Sequence, residues 1–183
     1  MCEKGLVLKP KKELVLDCYI DADFAGLWWH ENDQDPISVK SHMGYVFYFA
    51  GCPLLWVSKM QTEIELSTTE AEHIALSQVM HNLLPTWQLL AKLTGHLDLD
   101  IQIPIVNSTV FEDNKGCITL ASAPKMTPSS KHIGIKYHFF HEHVTNGTVQ
   151  IKHIESENQL ADIFTKGLGC VKFETLHKRL LGW

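Results

Sequence analysis

Apolar residues recur at two periods along the chain, and the change from one to the other marks out its elements. ELVLDCYIDAD (13–23) is rich in strand formers, with apolar side chains on both parities, as in a central strand covered on both faces. AGLWWHENDQDP (25–36) is a long polar connection. GYVFYFAGCPLLWVSK (44–59) predicts a hairpin: a strand to about Ala50, a Gly51–Cys52–Pro53 turn, then a second strand. A helical period follows from about Thr68 to Leu93, with Pro85 expected to kink or divide the helix. IPIVNSTVFED (103–113) contains a further strand, and NKGCITLA (114–121) a short helix with Asn114 as its N-cap. KHIGIKYHFFHEHV (131–144) predicts a helix of mixed polarity, GTVQIKHI (147–154) a strand, ENQLADIFTKGL (157–168) a helix, and VKFETLHKRLLGW (171–183) a last helix. This order implies an α/β fold with helices flanking one sheet. The first three strands pair antiparallel through short connections, and the later two arrive through helical crossovers, parallel to the first.

The long helix carries one residue that its own pattern does not explain. Ala75, Leu76, Val79 and Leu83 define an apolar face, and Glu72 stands three and four positions before the first two. A carboxylate there faces the core, and an unpaired buried charge costs several kcal/mol. Glu70 is different, because Ser67-Thr68-Thr69-Glu70 fits a capping box in which Glu70 closes the first helical turn. Glu72 either reaches solvent at the flank of the helix or meets a cation, since hard divalent ions take carboxylate oxygens.

Aspartates stand at strand ends. Tyr19, Asp21 and Asp23 share a parity, so both acids leave their strand on one face, and Asp113 falls between a strand and a helix. Strand ends of α/β sheets are where ligands bind, although Asp is also a common turn former and helix cap. The rest of the composition narrows the class. The net charge is −5 with a single arginine, Arg179, which argues against a tight, free-standing grip on nucleic acid. Five scattered cysteines with no CxxC give no cysteine zinc site and suggest a reducing compartment. His132, His138, His141 and His143 lack a suitably spaced fourth ligand for zinc. No apolar run is long enough to span a membrane, and MCEKGLVLKP lacks the apolar segment of a signal peptide.

Six stretches, taken together, resemble a known family. They are YIDADFAG (19–26), SHMGYVFYFAGCPLLWVSKMQ (41–61), LSTTEAEHIAL (66–76), VFEDNKGCITLA (110–121), SKHIGIKYHFFHEHV (130–144) and NQLADIFTKGL (158–168). In this order they resemble the ribonuclease H domain at the end of the Pol polyprotein of copia-type LTR retrotransposons. The resemblance implies a ribonuclease H-like domain over 13–170 with a mixed five-stranded sheet. Residues 1–12 would be the tail of a preceding reverse-transcriptase region, and 171–183 a C-terminal helical extension. It also implies that Asp21, Glu72 (in Glu-x-x-Ala), Asp113 (in EDN) and Asp162 (in ADIFTK) hold two Mg²⁺ ions, with Mn²⁺ able to substitute. Asp23 is the alternative at the first strand. The family often has Arg where His141 stands and Trp where Phe24 stands.

The activity implied is endonucleolytic cleavage of the RNA strand of an RNA/DNA hybrid, with ions about 3.5–4 Å apart straddling the scissile phosphate. Asp21 would bridge both ions, Glu72 and Asp113 would hold the one nearer the leaving group, and Asp162 the one nearer the attacking water. Asn114, Lys131, His132 and Asn158 are candidate substrate contacts, Lys136 adds a further phosphate-facing cation, and His153 is a candidate for proton transfer. The implied partners are the hybrid and the reverse-transcriptase region of the same polyprotein. The implied location is intracellular, in cytoplasmic retrotransposon particles with a nuclear phase. The competing readings are a decayed copy, a non-catalytic module supporting the polymerase, and an integrase-like enzyme of the same fold superfamily. The last would place its glutamate on the final helix rather than the first.

Overall fold

A computed structural model describes residues 5–26, 38–96, 108–123 and 134–183. Its strands are β1 (Leu16–Asp23), β2 (His42–Phe49), β3 (Cys52–Met60), β4 (Ser108–Glu112) and β5 (Val149–His153). Its helices are α1 (Thr68–His96), α2 (Lys115–Ser122), α3 (Gly134–Thr145) and α4 (Cys170–Leu181). The strands form one sheet in the order β3-β2-β1-β4-β5. β1 pairs antiparallel with β2 and parallel with β4, and β4 pairs parallel with β5, as the strand order along the chain predicts.

Alternation along the strands separates two cores. Leu16, Cys18, Ile20 and Ala22 of β1 join Met43, Tyr45, Phe47 and Val110 beneath Ala71, Ala75, Leu76, Val79 and Leu83 of α1. On the opposite face, Tyr19 packs with Val46, Tyr48, Leu160, Leu176 and Leu180, and its ring stacks on Phe111 at a centroid distance of 4.7 Å. The second cluster joins α4 to the sheet. Among the described residues no helix is long and apolar enough to cross a membrane.

Three local expectations are corrected. The β2–β3 turn is Ala50–Gly51, not Gly51–Cys52–Pro53: both residues have positive φ (51° and 75°), as a two-residue hairpin with the native strand twist requires. Pro53 instead enters β3 beside a register shift, and β3 is an edge strand, where proline is tolerated. Helix α1 runs undivided through Pro85. An interior proline costs about 3 kcal/mol, but buried leucines on the core face each contribute about 1.5–3 kcal/mol. Leu83 and Leu84 lie buried before the proline, and Trp87 and Leu90 pack on the same core after it.

The expected helix over 157–168 is replaced by two 3₁₀ turns, Ser156–Asn158 and Leu160–Phe164. The cause is the fully buried Gln159 between them. Its backbone is extended, its Oε1 accepts from the Ala161 amide, and its Nε2 donates to the carbonyls of Ile20 (2.7 Å) and Phe111 (3.3 Å). The β1–β4 ladder ends at Tyr19↔Phe111, so the Gln159 amide satisfies carbonyls where the two strands part. A continuous helix could not insert that side chain there.

Candidate active site

Ser67 caps the start of α1 as its sequence predicts, and Glu70 reaches back one residue further than a capping box requires. The Ser67 hydroxyl accepts from the Glu70 amide (3.2 Å), and a Glu70 carboxylate oxygen accepts from the Leu66 amide (2.9 Å), one residue before the cap. Glu70 is thereby held at the helix terminus. Glu72 lies past the cap, is 5% exposed, and one of its oxygens is buried without a hydrogen-bond partner. Asn114 caps α2, its side-chain oxygen accepting from the Cys117 amide at 2.9 Å. Gly116 lets α2 approach α1, because a Cβ there would lie 2.8 Å from the Thr69 hydroxyl.

This packing brings three acids together from separate elements. One carboxylate oxygen each of Asp21, Glu72 and Asp113 lies within 4.8 Å of the others. Among the described residues, no other group of three or more His, Cys, Asp or Glu side chains converges in this way. One Asp113 oxygen accepts from the Ser156 hydroxyl at 2.6 Å, which orients its carboxylate. Asp23, at the end of β1, is half-buried and is not one of the three.

A further acid, itself fully buried, adjoins the three. Glu112 shares its parity with Val110, so it points to the α1 side of the sheet, where it is fully buried. One of its oxygens accepts from the Asn114 amide (3.0 Å) and the other has no hydrogen-bond partner. Burial, then the nearby Glu112, Asp21 and Asp113 charges, push the Glu72 carboxyl up to about 11. Burial likewise pushes Glu112 up to about 8, against the lowering effect of the Asn114 amide. This crowding of like charge in a poorly hydrated place is relieved by protons or by a cation. Glu112 was not anticipated from sequence, although the alternation in VFED already assigns it to the same side as Val110.

Asp162 reaches the cluster from the opposite face and does not join the three. It is buried within the second 3₁₀ turn, and the Lys166 ammonium lies 3.0 Å from one of its oxygens and 3.0 Å from an Asp21 oxygen. Lys172 of α4 pairs with the other Asp162 oxygen, and the Thr165 hydroxyl donates to the other Asp21 oxygen. Burial raises Asp21 to about 6, with Lys166 opposing it. Burial on its own would lower Lys166, but the Asp21 and Asp162 carboxylates outweigh it and hold the ammonium above its ordinary value. Gly44, opposite Asp21 in the ladder, permits this layer: a Cβ there would lie 2.5 Å from the Phe164 Cβ. Lys166 stands one helical turn beyond Asp162 in ADIFTK, an acid–base pair readable from spacing alone.

The remaining candidates are dispersed. Asn158 is exposed and accepts from Arg179 at 2.9 Å. His153 ends β5, its ring 3.8 Å from Glu155. Lys131 and His132 lie outside the described residues.

No protein-family model matches the sequence. The chain is 31% identical over 178 residues to the retrovirus-related Pol polyprotein from transposon RE2 of Arabidopsis thaliana, a match covering 97% of the chain and 11% of that polyprotein. It is 31% identical over 176 residues to the corresponding polyprotein from transposon RE1 of the same plant, covering 96% of the chain and 11% of the polyprotein. Against that from transposon TNT 1-94 of Nicotiana tabacum it is 32% identical over 168 residues, covering 92% and 11%. The chain thus spans about a tenth of the length of these relatives. Among solved structures, the fold is similar to a ribonuclease H1 isolated from compost by a metagenomic approach. That match has a TM-score of 0.52 at 18% identity and covers 82% of this chain and 92% of that one. It is also similar to the N-terminal ribonuclease H domain of a Mycobacterium tuberculosis protein, with a TM-score of 0.51 at 10% identity, covering 91% and 98%.

Proposed function

We propose that this chain, which is homologous to a segment of the retrovirus-related Pol polyproteins of transposons and has the ribonuclease H fold, hydrolyses the RNA strand of RNA/DNA hybrids. The observation that carries this reading is the convergence of Asp21, Glu72 and Asp113 within 4.8 Å, from a strand, a helix and a strand end. Their oxygens suit a hard cation such as Mg²⁺, whose ligands lie about 2.0–2.1 Å from the ion, and Mn²⁺ takes the same carboxylate ligands. The buried, unpartnered Glu72 oxygen fits the same assignment, because a cation supplies the partner that the protein does not. When bound, divalent ions in such a site polarise the scissile phosphate and lower the pKa of the attacking water.

The chain's own residues set the stage for that chemistry. Asp21 stands at the carboxyl end of the central strand, between acids that arrive from both faces of the sheet. Glu72 is fixed on the buried stretch of α1 between Ala71 and Ser77, so its carboxylate is held in place to meet a ligand. Asp113 is oriented by Ser156, and Asp162 completes the set of acids from the second 3₁₀ turn. The products are an RNA 3′-hydroxyl and a 5′-phosphate. With a net charge of −5, the chain draws much of its hold on the hybrid from the polymerase region of the same polyprotein.

The test is a labelled RNA/DNA hybrid incubated with the purified chain in Mg²⁺, beside duplex RNA and duplex DNA. Cleavage confined to the RNA of the hybrid, and stopped by a chelator, is the expected result. Binding of the hybrid without cleavage, with the polymerase region attached as well as without it, would instead favour a non-catalytic supporting module.

A further inference from the structure

The two sides of Asp21 differ in what neutralises them, and the difference bears on how ions load. Towards α1, the Glu72 and Glu112 carboxyls each keep a buried oxygen without a hydrogen-bond partner. Towards α4, each oxygen of Asp21 and Asp162 faces a cation or hydroxyl of the chain: Lys166 lies 3.0 Å from one oxygen of each, as a hydrogen bond to Asp21 and as an ion pair without hydrogen-bond geometry to Asp162, Thr165 takes the second Asp21 oxygen, and Lys172 the second Asp162 oxygen. Two carboxylates and two ammoniums make that side self-neutral.

We infer that Lys166 stands in for a divalent cation between Asp21 and Asp162. The chain takes its first ion at Asp21, Glu72 and Asp113, and a second ion between Asp21 and Asp162 only when the Lys166 ammonium is displaced. This rests on the metal-dependent reading above and adds an order of loading to it. The acids cannot make the exchange by moving, because their side chains are 1% exposed. Lys166 can, because its side chain is 36% exposed and carries a compact charge on a flexible four-carbon stem. An ion that must displace an ammonium binds more weakly than one entering a place with unpartnered oxygens. Lys166 is therefore a positioning residue: it holds Asp21 and Asp162 in place before the second ion arrives.

Mn²⁺ binding measured by the resonance signal of the free ion separates the outcomes. The wild-type chain should bind one Mn²⁺ tightly and a second at least about tenfold more weakly, a gap of about 1.4 kcal/mol. Lys166→Met should tighten the second site by about tenfold, whereas Lys152→Met, which removes the same charge from β5, should leave both sites unchanged. Two equally tight ions in the wild-type chain, or equal tightening by both variants, would overturn the role of Lys166 and leave the metal reading standing. No Mn²⁺ bound at all would overturn the metal reading and this inference with it. If Lys166→Met does not fold, the wild-type chain still decides. The nuclear resonance of the Lys166 ammonium should persist through the first equivalent of Mg²⁺ and shift during the second, and a signal unchanged at saturation contradicts displacement.

Discussion

The sheet presents two differently built layers to the same aspartate. The α1 layer is a large apolar core that drives acids into one another's company without supplying them a cation of their own at Glu72. The α4 layer is a small core with 3₁₀ turns, and it meets Asp21 with lysines and a hydroxyl. The first layer leaves Glu72 and Glu112 oxygens with no cation beside them, and the second sets lysines against Asp21 and Asp162 through side chains that can let go. On the proposed reading, affinity for a cation belongs to the first layer and conditional access to the second. Asp21 takes part in both, which is why it stands on the central strand.

The largest effect should come from the residue that the layers share. Asp21→Asn should reduce hybrid cleavage about 100–1,000-fold, the scale on which loss of one group from a preorganised charged site is felt. Steady-state cleavage rates check this. A more selective break is Gly44→Ala, whose Cβ would collide with Phe164 and lift the α4 layer from β2. Overpacking of this kind costs about 1–3 kcal/mol. Thermal melting should therefore fall by about 2–12 °C for a chain of this size, while the first Mn²⁺ still binds at Asp21, Glu72 and Asp113.

Proton linkage sharpens the contrast further. In the metal-free fold, Glu72 is raised from 4.5 to about 11, Glu112 from 4.5 to about 8, and Asp21 from 3.8 to about 6. Above their unfolded values the folded chain binds more protons than the unfolded one, so stability falls as pH rises. In a chelator, the melting temperature should drop between pH 5 and pH 8 by at least about 3 °C. Mg²⁺ should reduce that drop, and Glu72→Gln should flatten it without Mg²⁺. The smallest effect is expected outside both layers. Ser67→Ala removes the cap of α1, should cost about 1 kcal/mol, and should leave Mn²⁺ binding unchanged, as calorimetry and melting would show.

The sequence carried what depends on period and parity. The division of labour between Glu70 and Glu72 follows from a capping box and an apolar stripe, and both side chains lie where those patterns place them. The mixed sheet follows from the spacing of strands and crossovers. What it did not carry depends on tertiary insertion. ADIFTK has helical composition, yet Gln159 enters the gap between β1 and β4 and breaks the turn there. Local propensity at Pro85 points to a kinked or divided helix, and it cannot weigh the core on either side that keeps α1 undivided. The turn at Ala50–Gly51 was displaced by one residue because Cys52-Pro53 resembles turn chemistry but sits on an edge strand. The resemblance groups Asp162 with the other acids; its pairing with Lys166 follows from their spacing, whereas Lys172 meets it only because α4 packs there.

The most direct test of the central claim is a crystal of the chain soaked in Mn²⁺ and measured for anomalous scattering, beside the Glu72→Gln variant. A strong peak bounded by Asp21, Glu72 and Asp113 is expected in the wild-type chain, and its loss in the variant. A peak that survives Glu72→Gln undiminished, or one that lies away from these three carboxylates, would contradict it.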